Sequence, residues 1–260
     1  MEDNQMSERL TVSNLCKTYI INKRQNNVLK NINFCMQQGE MVAVMGPSGS
    51  GKTTLLYTVS GMDRFTAGKV DFFGKELNSL KEKALSDIRL REMGFVFQQM
   101  HMLKNLTIYD NIILPAYQAK TKRNERNEVN AYAVALMHKL GISEVSDNDI
   151  NEVSGGQLQR ACIARSLINR PKIIFADEPT GALNQQNSKE VMEIFNQINE
   201  EGTSIMLVTH DLKVASKCER ILYIEDGNIR SEISLGKCKE EQNKREREMK
   251  LSSWLMELGW

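Results

Sequence analysis

The chain has 260 residues, 41% hydrophobic and 26% charged, ordinary values for a globular protein with a real core, and room for one large domain or two small ones. A formal net charge of +1 excludes a global field that would draw it to nucleic acid or anionic lipid. Cys16, Cys35, Cys162, Cys218 and Cys238 are scattered without a C-x-x-C pair, which argues against a disulfide framework or zinc site and suits a reducing cytosol. The polar, acidic start Met1-Glu2-Asp3-Asn4-Gln5 is not expected to be a secretory leader, and no run approaches the roughly 18 apolar residues of a membrane span.

Residues 8–21 alternate with period two and predict a strand ending near Tyr19. Residues 22–27 read as a polar turn, Val28 to Met36 as a second strand, and Met41-Val42-Ala43-Val44-Met45 as a buried one. Leu55, Leu56 and Val59 then recur at helical spacing, Thr66-Ala67-Gly68-Lys69 reads as a turn, and Val70-Asp71-Phe72-Phe73 as a strand closed by Gly74. Residues 79–93 predict an amphipathic helix and 94–99 a short strand. From about 105 to 170 the chain reads as helical, with a mixed-charge solvated stretch at 120–130 and Gly141 as a helix C-cap. Lys172 to Glu178 is a buried strand, 186–200 a helix ended by Gly202, Thr203 to His210 a strand, 212–219 a helix, and 220–231 a hairpin around Glu225-Asp226-Gly227. Strands alternating with helices imply an α/β fold with a mostly parallel sheet, here with an N-terminal β lobe and a helical insertion near 98–165.

Gly46-Pro47-Ser48-Gly49-Ser50-Gly51-Lys52-Thr53-Thr54 joins the buried strand to the first helix, which is the context that makes G-x-x-x-x-G-K-[ST] a phosphate-binding loop. At a background of about 7% glycine, chance yields the pattern in about one chain in a hundred of this length. Glycines let successive N–H groups converge on one anion, and the helix adds its positive end. Lys52 supplies a mobile charge for the β- and γ-phosphates, and the Thr53 hydroxyl is a ligand for Mg²⁺. Asp177 and Glu178 end the second buried strand. Alone, two acids there are most often a solvated strand end; beside a phosphate loop, Asp177 suits Mg²⁺ and Glu178 suits polarising a water. Ser154-Gly155-Gly156-Gln157 opens a helix and forms a second anion site. Two such sites facing different ways suggest two copies packed head to tail, each covering the nucleotide held by the other.

These motifs, with Gln98 after a strand, Ile-Ile-Phe-Ala-Asp-Glu-Pro-Thr-Gly-Ala-Leu and Val-Thr-His-Asp in that order, resemble the ATP-binding subunit of ABC transporters from about residue 9 to 231. The resemblance implies a P-loop NTPase cassette fold over residues 1–235, with 236–260 a charged, amphipathic tail. It implies ATP and Mg²⁺ as cofactors, with Thr53, Gln98 and Asp177 around the metal and residues 46–54 around the phosphates. Tyr19 matches the aromatic that stacks on adenine, and Gln98 the glutamine linking Mg²⁺ and the attacking water to the membrane-subunit contact. Ser154, Gly155, Gly156 and Gln157 match the signature that binds the γ-phosphate of the partner's ATP. Glu178 matches the catalytic base and His210 the switch histidine. Asn184 stands where the family has Asp, Val153 where it has Leu, and Ile150 where a proline is frequent.

The family further implies a homodimer closing on ATP, a membrane permease as partner, no nucleic acid, no spanning segment of its own, and a cytoplasmic place at the inner face of the membrane. Gly-Phe-Val-Phe-Gln-Gln, Asp110-Asn111-Ile112 and Leu114-Pro115 resemble the branch serving lipoprotein release, macrolide export and antimicrobial-peptide resistance. The ending Trp254-Leu255-x-x-Leu258-Gly259-Trp260 is most similar to the bacitracin and lantibiotic resistance type. Leu251, Trp254, Leu255 and Leu258 form one helical stripe that docks on its own domain, on the permease or on lipid. A soluble ABC ATPase that moves no substrate is the rival; a small-molecule kinase leaves Ser-Gly-Gly-Gln unexplained.

Overall fold

The computed structural model describes residues 9–119, 125–238 and 244–260. In chain order the strands are β1 (Arg9–Ile21), β2 (Arg24–Gln37), β3 (Met41–Met45), β4 (Ala67–Phe72), β5 (Lys75–Glu76), β6 (Met93–Val96), β7 (Ile173–Asp177), β8 (Ser204–Val208), β9 (Arg220–Glu225) and β10 (Asn228–Ser234). The helices are α1 (Lys52–Val59), α2 (Glu82–Glu92), α3 (Ile108–Gln118), α4 (Arg126–Lys139), α5 (Gly155–Leu167), α6 (Gln185–Glu200), α7 (Leu212–Ala215) and α8 (Lys244–Glu257). One sheet is antiparallel, in the order β2-β1-β4-β5; the other runs β10-β9-β3-β8-β7-β6, parallel except for the β10 edge.

The parallel sheet is buried on both faces, which is why its strands read as unbroken apolar runs. The pleat divides them. Met41, Ala43 and Met45, with Ile174, Ala176, Ile205, Leu207, Ile221 and Tyr223, face a core filled by the helices α3 to α6 and α8. Val42 and Val44, with Ile173, Phe175, Met206, Val208, Leu222 and Ile224, face α1 and the antiparallel sheet. Between them the two layers hold the carboxyl-terminal edge of β3, β8 and β7 rigid and side by side, the edge where open α/β sheets bind ligands.

Several sequence expectations shift. The turn before β2 is only Asn22-Lys23, both left-handed at φ 52° and 62°, and the polar residues 24–27 belong to the strand, paired with β1 through Arg24↔Ile21 and Asn27↔Thr18. Those residues are exposed on both faces, so no burial pattern announces the ladder. β4 likewise begins at Ala67, within the expected turn, because Ala67 pairs with Cys16. The helix expected over 212–219 is one turn, Leu212–Ala215, since Glu219 already joins the sheet by donating to Met41 O. Of the mixed-charge stretch, residues 120–124 lie outside the described residues and Arg126 onward opens α4. Gly141 is left-handed at φ 61°, as a C-terminal cap requires.

The tail stripe docks on its own domain. Leu251 and Leu255 are fully buried in the helix-side core, and Trp254 and Trp260 stand edge-on to Tyr223, ring centres 6.2 and 6.0 Å away. Among the described residues no helix is long and apolar enough to cross a membrane.

Candidate active site

The loop between β3 and α1 passes close to β9 at Gly46 and to β2 at Gly51, leaving no room for a side chain at either. A Cβ on Gly46 would lie 2.0 Å from the Ile224 carbonyl oxygen, and one on Gly51, at φ +104°, would lie 3.0 Å from that of Val28. Lys52 Nζ donates to Gly46 O at 2.8 Å and Pro47 O at 2.7 Å, folding its charge over the loop. Burial lowers the Lys52 pKa, opposed by the nearby carboxylates of Glu178 and Asp177. Ser50 Oγ is buried in the same turn with no hydrogen-bond partner, an orphaned hydroxyl that an anion in the loop would satisfy. The residues present therefore fit a nucleotide's phosphates.

Asp177 reaches this loop because β7 lies one strand away from β3, across β8. Thr53 Oγ1 donates to Asp177 Oδ1 at 3.0 Å. Burial raises the Asp177 pKa, resisted by Thr53, Tyr57 and Lys52. The site thus holds a carboxylate that a divalent cation would stabilise. A hydroxyl beside a carboxylate is the hard oxygen pair that Mg²⁺ takes, with waters and phosphate oxygens completing its shell. Tyr57, one turn after Thr53 on α1, leans on Asp177; burial, then Asp177, pushes its pKa up to about 12. Its role is invisible in the sequence except as a helical i+4 neighbour of Thr53.

Glu178 leaves the strand in a left-handed conformation at φ 46°, an unusual geometry for a residue with a side chain. Its backbone N–H donates to Val208 O of β8 at 3.0 Å. Glu178 Oε1 sits 2.9 Å from His210 Nδ1; the carboxylate is 15% exposed and the imidazole 67%. Gln98 lies against the same corner, its Nε2 3.4 Å from where a Cβ on Gly181 would be. Lys52, Thr53, Asp177, Glu178, His210 and Gln98 therefore converge at the ends of neighbouring strands.

Tyr19 stands beside Thr54 at the start of α1. Its hydroxyl donates to Asp63 Oδ2 at 2.5 Å, and Lys17 Nζ, 4.5 Å from the ring centre, also donates to Asp63 Oδ1 at 2.6 Å. One ring face thus carries a cation and the hydroxyl is tethered, orienting the ring. Burial and Asp63 raise the tyrosine pKa. Neither Lys17 nor Asp63 carries a sequence signal.

Ser154 to Gln157 go elsewhere. They open α5, whose neighbours are α3, α4, α6 and β6. Ser154 Oγ accepts from Gln157 N at 3.3 Å and Gln157 Oε1 accepts from Ser154 N at 2.9 Å, a reciprocal capping box. Ser154 and Gly155 are exposed. Asn184 caps α6 by accepting from Asn187 N at 2.8 Å, a role that asparagine fills as well as aspartate.

Comparisons agree with this geometry. The profile of the ABC transporter family matches residues 29–181. The uncharacterized ABC transporter ATP-binding protein YknY of Bacillus subtilis (strain 168) is 42% identical over 220 residues, 85% of this chain and 94% of the relative. The bacitracin export ATP-binding protein BceA of Halalkalibacterium halodurans is 41% identical over 228 residues, 87% of this chain and 89% of its own. The dimeric structure of MJ0796, a bacterial ABC transporter cassette, superimposes with a TM-score of 0.81 at 37% identity, covering 87% of this chain and 98% of that one. A post-hydrolysis dimer of MJ0796 bound to ADP and Pi gives 0.78 at 35% identity, with the same coverages.

Proposed function

This chain belongs to the ABC transporter family and is an ATP-hydrolysing cassette, and we propose that it works as the motor of a membrane permease that handles antimicrobial peptides. The carrying observation is the convergence of Thr53–Asp177 and Glu178–His210 at adjoining strand ends, while Ser154 and Gly155 are exposed at the start of α5.

In this assignment residues 46–54 and Lys52 bind the phosphates, and Tyr19 takes the adenine on its open face. Thr53 and Asp177 would hold Mg²⁺, with Gln98 at its edge; the ion would supply charge neutralisation along the transferred phosphoryl group. Glu178 accepts the proton of the attacking water. Nε2 of His210, the ring nitrogen not paired with Glu178, donates to a γ-phosphate oxygen when it carries a proton. The backbone N–H groups of Gly155 and Gly156 and the Ser154 hydroxyl complete the site of a second copy, so that ATP closes a homodimer with two nucleotides between its halves.

Residues 1–235 form the cassette, 98–165 its helical arm and 236–260 its tail. The contact for the permease lies on the arm after Gln98. There Arg165 holds the carbonyls of Met100 and His101 at 2.8 and 2.7 Å, and buried Asn111 accepts from Leu103 N and donates to the carbonyls of Leu103, Leu106 and Thr107. That segment is stiff, and it presents Leu103, 46% exposed. Attachment to the inner face of the membrane follows from the permease. The similarity to the bacitracin export protein supports a peptide cargo.

Glu178→Gln tests the assignment. The variant keeps nucleotide binding and accumulates on ATP as a closed dimer in size-exclusion chromatography, with turnover down by about 10²-fold or more. Undiminished turnover would overturn the role of Glu178.

A further inference from the structure

The C-terminal helix meets the segment that follows His210 through Arg247. Helix α7 begins two residues after His210 and is only four residues long, too short to hold itself together. Its two ends are fixed by side chains. Asp211 accepts from Lys213 N at 2.7 Å and from Val214 N at 3.3 Å at the start. At the other end Arg247, 8% exposed, spreads its guanidinium over four backbone carbonyls. Nε donates to Ser216 O at 2.8 Å and Nη2 to Cys218 O at 2.8 Å; Nη1 donates to Leu235 O at 2.8 Å and Gly236 O at 3.0 Å. A cation at the carboxyl end of a helix complements the unpaired carbonyls there. One and two turns further along α8, Leu251 and Leu255 are buried in the core and lock Arg247 in place.

His210 is held at its ring Nδ1 by Glu178. Its ring is mostly exposed and borders a groove of about 1110 Å³ that runs from Glu178 to Lys244 and Glu248 of α8. Its backbone is tied through Thr209, whose N–H donates to Val44 O at 3.2 Å and whose Oγ1 accepts from Asp211 N at 3.0 Å. Upstream the segment is fixed by β3; downstream it is fixed by α7, and α7 by Arg247. We propose that the C-terminal helix is a positioning element for His210, acting through the Arg247 clamp on the carboxyl end of α7. Displacing α8, for example when a partner engages its exposed Met249 and Met256, would loosen the histidine and slow hydrolysis without disturbing the phosphate loop.

The inference rests on the hydrolytic role assigned to His210, and the test separates the two. Full-length wild type, Arg247→Met, Arg247→Lys and His210→Ala are compared in steady-state MgATP hydrolysis and by proton NMR of the imidazoles. The chain has only three histidines, so the missing resonance in His210→Ala assigns the ring. Arg247→Met is expected to lower kcat between about ten- and a hundred-fold with KM for ATP within about two-fold of wild type, the signature of misplaced rather than missing chemistry. The His210 resonance shifts or broadens while those of His101 and His138 stay. Arg247→Lys, which keeps the stem and the charge but cannot span four carbonyls, falls between wild type and Arg247→Met, and serves alone if the methionine variant does not fold. Wild-type kcat with an unmoved His210 resonance overturns the positioning role, and so does a shift of all three resonances, which marks a general loosening. Full turnover in His210→Ala instead refutes the hydrolytic role of His210, whatever Arg247 does.

Discussion

The two glycine-rich turns of this chain, 46–54 and 154–157, use the same ingredients, glycines and a hydroxyl at the head of a helix, and end in opposite surroundings. At the phosphate loop the backbone is pressed against β9, Ser50 is buried, and Thr53 and Lys52 turn toward Asp177 and Glu178. At Ser154 the hydroxyl oxygen and Gln157 Oε1 accept from the backbone to cap their own helix, and the Ser154 O–H and the backbone N–H groups of an exposed turn are what remains to offer. The difference teaches that the surroundings, more than the turn, set what such a helix start can do. The turn built into a sheet edge gathers acids from neighbouring strands, Asp177 and Glu178; the turn at the start of α5 has, among the described residues, only Glu144, at the Gln157 side chain, as an acidic partner and stays exposed at Ser154 and Gly155.

A pair of alanine substitutions strains this contrast most. Gly46→Ala drives a methyl into the Ile224 carbonyl at 2.0 Å, so it is expected to cost more than about 4 kcal/mol in denaturant unfolding and to abolish nucleotide binding. Gly155→Ala meets only Leu183 Cδ2 at 3.8 Å, so stability should stay within about 0.5 kcal/mol of wild type. Its turnover should nonetheless fall by about ten-fold or more, because the methyl enters the surface offered to a second copy. Equal effects of the two substitutions on stability would erase the distinction.

Asp177→Asn sharpens the picture of the first turn. The substitution keeps an acceptor for Thr53 and removes a buried charge, so turnover should drop by about 10²- to 10³-fold while the nucleotide-free protein becomes more stable. The sign follows from burial, which raises the carboxyl pKa in the folded state. The stability tied to the protonated acid is full below the unfolded pKa, about 3.9, and is lost as pH rises through the higher folded value. The advantage of Asp177→Asn over wild type in urea unfolding should therefore grow with pH above about 4 and then level off. A constant gap across that range would show that Asp177 is not destabilised by burial.

The smallest effect belongs to the second turn. Gln157→Ala removes one arm of the capping box and should cost about 1 kcal/mol, read by thermal unfolding, with nucleotide affinity of the single chain unchanged. A loss of affinity there would tie the Ser154 turn to its own phosphate loop.

Much of this was legible because it is local. The phosphate loop, the acids after β7, His210 after β8 and the Ser154 turn are strings whose chemistry is written in consecutive residues, and β3, β7 and β8 announce their burial by being apolar throughout. The polar start of β2 was not, because exposed residues paired in a ladder leave no period to read. Asp63, which tethers Tyr19 and Lys17, lies 44 and 46 positions from them, and Tyr57 of α1 meets Asp177 at the end of β7.

The tail shows the division most clearly. The stripe Leu251, Trp254, Leu255 and Leu258 determined that α8 is amphipathic and would bury one face. Which surface receives it was decided by the tertiary structure: the end of α7 offers carbonyls with no partner in their own short helix, Tyr223 offers a ring edge to two tryptophans, and Arg247 is placed to take the carbonyls. Periodicity specifies that a face is apolar because it depends only on neighbours in the chain. What covers that face depends on which unsatisfied groups the rest of the fold brings to it, and these come from segments that no local pattern connects.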